Sequence, residues 1–202
     1  IVINTRKEET GLRFNAEQKA LKNKLDIQVG VVNSITNRKY VDNNIFLYVL
    51  NTPPTYPVYN ADGSYYGYYD FDEQNPVAQQ RLQTNKAKEK FSQLYGTANY
   101  EIIKGLKAGV TGSISNFDLI QDFFQPSLPL GPGNSLVNNG FKSSENRYSK
   151  KGDIHVNYLH DWNKHNLAVT LVHEYSDFTY ERFKASGSDF LLDPKGNNSL
   201  EN

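Results

Sequence analysis

The stretch DIHVNYLHDWNKHNLAVTL, residues 153–171, indicates the fold class most directly. Apolar side chains alternate with polar ones on both sides of the Asn163-Lys164 pair, at Ile154, Val156, Tyr158 and Trp162 and again at Leu167, Val169 and Leu171. Period-2 alternation around a two-residue link predicts a β-hairpin with one apolar face. Pairing Trp162 with His165 brings the apolar sides of both strands onto one face. The same register pairs Val156 with Leu171 and Tyr158 with Val169.

Two further segments repeat this design, which gives predicted hairpins at about residues 12–35, 90–119 and 150–180. In the first, the link Leu21–Lys24 joins two alternating strands, and pairing Ala20 with Leu25 keeps their apolar faces together. In the second, Gly105 suits the left-handed backbone position at the end of a three-residue loop. The chain is therefore expected to be all-β, with about six antiparallel strands.

The connections between strands are strongly unequal in length. Links within hairpins have two to four residues, whereas long loops are expected at about residues 36–89, 120–148 and 182–202. Compact soluble domains rarely carry structureless connections longer than about 12–15 residues. Short links at one end of the strands and long loops at the other are typical of bacterial outer-membrane barrels. We therefore expect a segment of an antiparallel transmembrane β-barrel with extracellular loops.

The alternation assigns the two faces of the strands to different surroundings. In such a barrel the apolar face contacts lipid, and the polar face lines a wet interior or contacts a plug. The side chains expected to face lipid include Phe14, Ile27, Val29, Val31, Leu94, Ile102, Val110, Ile114, Val156 and Leu171. Those expected to face inward include Arg13, Glu17, Lys19, Asp26, Thr97, Glu101 and Asp153. Neither set forms a catalytic arrangement, so we do not expect an enzyme.

Aromatic residues near both ends of the strands support the membrane interpretation. The two groups are Tyr100, Tyr158 and Trp162 near the short links, and Tyr175, Phe178 and Tyr180 near the far end of the last strand. Belts of Tyr and Trp at the two lipid–water interfaces are typical of membrane proteins. We expect both groups to face outward.

The composition excludes several classes of protein. The 202 residues carry 22 basic and 22 acidic side chains, so no net charge attracts the chain to nucleic acid. The absence of cysteine excludes disulfides and thiolate metal sites. A mean hydropathy of −0.65, with no apolar run near the roughly 20 residues that a membrane helix needs, excludes helical spans. The first residues contain neither an initiator methionine nor a signal sequence, so we expect the chain to begin inside a longer precursor.

Four short stretches carry a resemblance to a known family. They are NTPPTYPVYNADGSY at residues 51–65, NPVA at 75–78, YEIIKGLK at 100–107 and WNKHNL at 162–167. The first two are similar to a segment of the SusC/RagA-family TonB-dependent transporters of Bacteroidetes, and the other two are similar to turn motifs of that family. Their order and spacing also agree. The resemblance covers most of residues 12–180.

The resemblance implies a 22-stranded outer-membrane barrel with an N-terminal plug, of which this chain is an internal segment without the plug. It implies several partners: the remainder of the barrel and plug, outer-membrane lipid, a SusD-like surface lipoprotein that acts as a lid, and TonB acting through the missing N-terminal part. The implied role is import of a glycan or oligopeptide cargo into a Gram-negative bacterium. No cofactor is expected.

The loop from Tyr56 to Phe71 is the main candidate for cargo or lid contact. Its aromatic residues are Tyr56, Tyr59, Tyr65, Tyr66, Tyr68, Tyr69 and Phe71. Exposed tyrosines offer a flat apolar ring and a hydroxyl, which suit stacking on sugars or holding a peptide. Packing of these rings on one another or against the lid is an equally good interpretation. After the loop, Asn75 and Pro76 predict the start of a short capped helix.

Metal sites have little support in the sequence. Residues 60–63, Asn-Ala-Asp-Gly, lack the spaced ligands of an EF-hand and are better explained as an Asp-Gly turn. Asp70, Asp72 and Glu73 leave a surface calcium site open. The four histidines show no spacing typical of a zinc site.

Two other functional classes remain open at this point. A soluble β-sandwich lectin would use the tyrosine-rich loop to bind sugar directly. A glycosidase would need two carboxylates facing one cleft, and the only dense acidic cluster lies in that loop. Solubility distinguishes them, because a sandwich stays monomeric in buffer and an importer fragment requires detergent.

Overall fold

Six long strands form one open antiparallel sheet in the computed structural model, which describes residues 3–42, 44–67, 75–131 and 134–191. The elements in chain order are β1 (Arg6–Ala20), β2 (Leu25–Lys39), α1 (Ile45–Asn51), α2 (Pro76–Leu82), β3 (Thr84–Ile103), β4 (Leu106–Gln125), β5 (Leu128–Gly131), β6 (Asn134–Leu136), β7 (Asn139–Trp162) and β8 (His165–Ser188). The large sheet has the order β1-β2-β3-β4-β7-β8, and β5 pairs with β6 separately. The expected all-β antiparallel fold is confirmed.

The pairing registers follow the apolar alternation. Ala20 pairs with Leu25, and Trp162 pairs with His165, as the sequence predicts. A slip of one residue would move every apolar side chain to the other face, which fixes the register. Gly105, in the β3–β4 turn, has a φ of 86°, the left-handed conformation predicted for it. The β1–β2, β3–β4 and β7–β8 turns are short and lie at the same end of the sheet.

The strands extend further than the alternation indicates. β3 begins at Thr84 and β8 continues to Ser188, so parts of the expected loops belong to strands. In these extensions polar side chains occupy both faces, as in KAKEK at residues 86–90, and this hides the strand period. The connections between hairpins are therefore shorter than expected, at residues 40–83 and 126–138.

The two faces of the sheet differ in exposure as well as in polarity. Along β3 and β4 the apolar side chains are exposed, whereas side chains of the polar face, such as Tyr95 and Ser113, are half-buried. Side chains converge on the inner side of a curved sheet, so the polar face is the inner one. We call it the inward face and the apolar one the outward face. Exposed residues of the outward face include Phe14, Val29, Leu94, Val110, Ile114 and Ile154.

This distribution is the inverse of that in a soluble sheet protein. A β-sandwich buries the apolar faces of two sheets against each other. The described residues contain no second sheet over the outward face, where Val110 and Ile114 are 49% and 46% exposed. Buried apolar side chains of the described chain lie in or next to the loops, and they are Ile45, Ala78, Ala87, Phe124, Leu128 and Phe190. A soluble sandwich does not explain this arrangement.

Part of the expected aromatic belt lies on the other face. β8 pairs with β7 without a bulge along its whole length, so its side chains alternate strictly. Tyr175 faces outward, whereas Phe178 and Tyr180, an odd number of residues away, face inward. The prediction for these two residues was wrong because it considered height along the strand and not parity. The group near the tight turns does share the outward face, and it consists of Tyr100, Tyr158 and Trp162.

Two helices of seven residues each lie in the β2–β3 connection. α2 begins as the sequence predicts, with Asn75 as its N-cap and Pro76 as its first residue. Among the described residues, no helix is long and apolar enough to cross a membrane.

Candidate functional site

Asn75 links α2 to the tyrosine loop, residues 56–71. Its Oδ1 accepts hydrogen bonds from the backbone N–H groups of Val77 at 3.1 Å and Ala78 at 3.2 Å, which are unpaired donors at a helix N-terminus. Its Nδ2 donates to the backbone carbonyls of Val58 at 2.8 Å and Tyr66 at 3.1 Å. One buried side chain therefore caps the helix and holds both arms of the loop.

A buried cluster of amides anchors α2 to the sheet. Gln79 and Gln83 each donate from Nε2 to Asp42 Oδ2, at 2.9 and 3.1 Å, and to Gln125 Oε1, at 2.6 and 3.1 Å. All three glutamines are buried, so leaving such a group unpaired would be costly. Sequence reasoning missed this cluster. The only available signal was the spacing of Gln79, in a very short helix, and Gln83, its C-cap residue, which lie one turn apart.

The tyrosines in the described part of the loop pack in two pairs. Tyr59 and Tyr65 form a β-bridge, with ring centroids 5.3 Å apart. Tyr56 and Tyr66 meet edge to face at 6.0 Å. Aromatic pairs of this kind stabilise a loop, yet Tyr59 remains 46% exposed. The other three predicted residues, Tyr68, Tyr69 and Phe71, lie outside the described residues.

The tip of the loop is the predicted Asp-Gly turn. Asp62 Oδ1 accepts hydrogen bonds from the Ser64 backbone N–H at 2.9 Å and from its hydroxyl at 2.6 Å, and Gly63 has a φ of 85°. The Ser64 hydroxyl, followed by its N–H, lowers the pKa of Asp62 below its usual value. The turn therefore keeps this stabilisation at neutral pH and loses it as acid protonates the carboxylate. The residues left open for calcium, Asp70, Asp72 and Glu73, lie outside the described residues.

A polar cluster crosses β4 on the inward face, near the tight turns. His155 Nδ1 lies 2.8 Å from Asp153 Oδ1, and His155 Nε2 lies 2.8 Å from Asn99 Oδ1. Asn99 and His155 flank Gly109 on the two neighbouring strands. A methyl group at Gly109 would lie closer than 3.0 Å to both side chains. Glycine therefore leaves the space in which they meet.

A second side-chain hydrogen bond of this kind crosses β2 and forms a bridge between its two neighbouring strands. Tyr95 Oη donates to Asn15 Oδ1 at 2.8 Å, and Gly30 lies between the two residues in the sheet. A methyl group at Gly30 would lie closer than 3.0 Å to the Tyr95 ring. The two bridges tie β1 to β3 and β3 to β7 through side chains, so this part of the inward face is a hydrogen-bonded surface.

Farther from the tight turns, the inward face becomes basic and aromatic. The Arg147 guanidinium lies over Phe117 and Tyr180, with its carbon 5.2 and 5.9 Å from the ring centroids. Arg147 also forms an ion pair with Glu145, whose Oε2 accepts a hydrogen bond from Tyr180 Oη at 3.2 Å. Sequence reasoning missed this cluster, because it placed Arg147 and Glu145 in an expected loop and assigned Tyr180 to the aromatic belt.

These side chains are suited to binding. Tyrosine rings stack on flat apolar groups, and arginines pair with carboxylates. In the ranges that the structure describes, no group of three or more histidine or acidic side chains could hold a metal ion.

Comparison of the sequence finds no matching family model and no matching curated protein. Comparison of the fold finds solved structures that are similar to this chain. The RagAB peptide importer matches with a TM-score of 0.69 and 19% identity in its closed-closed state, and with 0.70 and 18% in its open-open state. A structure of the RagAB peptide transporter matches with 0.69 and 19%. Each match covers 94% of this chain but only 22% of the other, so the chain spans about a fifth of their length.

At this level of identity the likeness establishes the fold. RagA belongs to the SusC-like transporters, the family that the motifs at residues 51–65, 100–107 and 162–167 resemble. The chain therefore has the fold of a segment of a RagA-type transporter chain.

Proposed function

We propose that this chain is part of a TonB-dependent importer of oligopeptides or glycans in the outer membrane of a Bacteroidetes-type bacterium. The inverted polarity of the sheet supports this proposal most strongly, because an exposed apolar face and a half-buried polar face suit a sheet between lipid and a wet interior. The matched structures are of a peptide importer, which favours oligopeptides as the cargo.

In this role the segment works with the remainder of the barrel and its plug, with TonB, and with a SusD-like lipoprotein over the extracellular mouth. The loops between hairpins lie at that mouth, and the tight turns face the periplasm. The segment binds and passes cargo and does not catalyse a reaction. The family motifs and the likeness to RagAB support these partners.

An epitope inserted after Gly63 in the full-length protein should be reached by antibody on intact cells. One inserted after Lys164 should be reached only after the outer membrane is permeabilised. Gly63 lies at the tip of the tyrosine loop, with open space around it, whereas Lys164 lies in the β7–β8 turn at the opposite end of the sheet. Flow cytometry of intact and permeabilised cells measures both. The reverse labelling contradicts the orientation, and equal labelling on intact cells contradicts the membrane assignment.

Replacing Tyr65, Tyr66, Tyr68 and Tyr69 by alanine should weaken cargo uptake or lid association without reducing the amount of folded barrel. An aromatic anchor in an interface contributes about 1–2 kcal/mol or more, which corresponds to roughly fivefold to thirtyfold in affinity. Uptake of labelled peptide and co-purification of the lid measure the effect, and heat-modifiable mobility in gels measures the folded barrel.

The matched control replaces the same four tyrosines by phenylalanine, which preserves the ring pairs of Tyr65 and Tyr66 and removes only the hydroxyls. If the alanine variant retains wild-type uptake and lid binding, the rings only pack on one another. If the folded barrel disappears, the tyrosines are structural.

A further inference from the structure

The charge of the inward face changes sign along β7 and β8. Toward the tight turns these strands carry the carboxylates Asp153 and Glu174, which are directly paired across the two strands. Toward the loops the same face carries four cations and one carboxylate, namely Arg147, Lys151, Arg182, Lys184 and Glu145. The adjoining inward positions of β4, from residue 113 to residue 125, are uncharged. An excess of positive charge is therefore confined to the half of the face near the loops.

Aromatic rings lie among these cations. We name the whole surface the basic-aromatic wall, and it consists of Phe117, Phe141, Arg147, Lys151, Phe178, Tyr180, Arg182 and Lys184. Phe178 is 63% exposed, and the Lys184 ammonium lies 4.3 Å from the centroid of the Phe141 ring. Arg147 is already paired with Glu145.

The three remaining cations of the wall lack a carboxylate partner. Within the described chain, Lys151, Arg182 and Lys184 form no ion pair. Cations grouped on one wall of a cleft raise the local concentration of anions, and each gains a charge-assisted hydrogen bond when a carboxylate arrives. The wall is therefore complementary to a chain that carries several carboxylates.

We propose that the basic-aromatic wall binds the acidic part of an oligopeptide cargo. This inference rests on the proposed function, since the inward face contacts cargo only in an importer. Glutamate and aspartate side chains pair with Lys151, Arg182 and Lys184, and the peptide backbone and apolar side chains pack on the rings of Phe178 and Tyr180. A neutral glycan would use the rings and leave the cations unpaired. Asp153 and Glu174 repel the same carboxylates, so binding is confined to the loop half of the face.

The test uses the full-length transporter and two labelled peptides of equal length, one with four glutamates and one with glutamines at the same positions. The inward variant combines Lys151→Gln, Arg182→Gln and Lys184→Gln. The matched control combines Lys88→Gln, Lys90→Gln and Lys150→Gln, which remove the same charge from the outward face of the sheet. We expect the inward variant to bind the glutamate peptide about tenfold more weakly and the glutamine peptide as the wild type does. The control variant should bind both like the wild type.

The wild type supplies a second readout that does not depend on a folded variant. Its preference for the glutamate peptide should shrink when salt is raised from about 0.05 to about 0.5 M, because the Debye length shortens. Equal binding of both peptides by the wild type overturns the inference while leaving import intact. Loss of binding of both peptides by the inward variant also overturns the inference, because the three cations would then serve contact with the plug or folding of the barrel. If the wild type neither binds nor imports either peptide, the proposed function itself is wrong.

Discussion

Val110→Arg in the full-length protein should remove most of the folded barrel from the outer membrane, whereas Thr111→Arg should leave its amount near that of the wild type. Val110 lies in the outward apolar band and is half-exposed, so in the proposed barrel an arginine there meets lipid. At the midplane of a barrel this costs about 2–4 kcal/mol, a large share of the 5–15 kcal/mol that typically stabilises a folded protein. Heat-modifiable mobility of outer-membrane fractions measures the folded population.

Thr111 provides a control at the neighbouring position of the same strand. It faces inward and is paired with Asp153, so an introduced guanidinium finds water and a carboxylate. Val169→Arg, on the outward face of β8, should behave like Val110→Arg. Equal tolerance of arginine at positions 110 and 111 would contradict the assignment of the outward face to lipid.

Gly105→Ala should destabilise the barrel by several kcal/mol, the second-largest effect that we expect. Two costs add at this position. The φ of 86° is unfavourable for a residue with a Cβ by about 1–2 kcal/mol, and the new methyl group would lie closer than 3.0 Å to the backbone oxygen of Leu159. That oxygen belongs to the β7 backbone beside the turn, where the Leu159 N–H donates to the Gly105 carbonyl at 2.7 Å. Urea unfolding of the refolded full-length protein gives the change in stability.

Gly63→Ala separates the two costs. Gly63 has nearly the same φ, 85°, but no atom lies within 4 Å of the methyl group that alanine would add. In the same urea experiment it should therefore show only the backbone cost of about 1–2 kcal/mol. If the two substitutions destabilise the protein equally, the contact with Leu159 has no energetic weight.

The part of the sheet that carries the apolar alternation could be predicted from the sequence. Alternation places Ala20 opposite Leu25 and Trp162 opposite His165, and the structure has both pairs. This success has a physical reason: a face that must be apolar leaves a period of two in the sequence. Gly105 was predictable as well, because few other residues adopt a positive φ.

The parts of the strands between the apolar band and the long connections could not be predicted in the same way. In the KAKEK stretch at residues 86–90 charged side chains occur on both faces, with the lysines outward and Glu89 inward, so no apolar face marks the strand period. Phe178 and Tyr180 were placed on the wrong face because an aromatic residue is compatible with either surroundings, so only the register of β8 decides.

The candidate site was predictable only in part. The cap at Asn75 follows a local rule and was predicted. The hydrogen bonds of Gln79 and Gln83 to Gln125 join residues more than forty positions apart, and nothing local indicates such a partner. The tyrosines of the loop were recognised as a group, but their arrangement in two pairs depends on the turn at Asp62 and on tertiary packing.

The order of the strands has a consequence for how the barrel assembles. Each long strand of the sheet pairs with the preceding long strand in the chain, so each pairing closes only the connection between two successive long strands, and the entropy lost on closing it grows slowly with its length. We expect each hairpin to form as a unit and to join its neighbour through β2–β3 and β4–β7 pairing. The sheet can then grow strand by strand, without pairing to a distant part of the chain. In the proposed barrel, the free edges of β1 and β8 would pair with further strands.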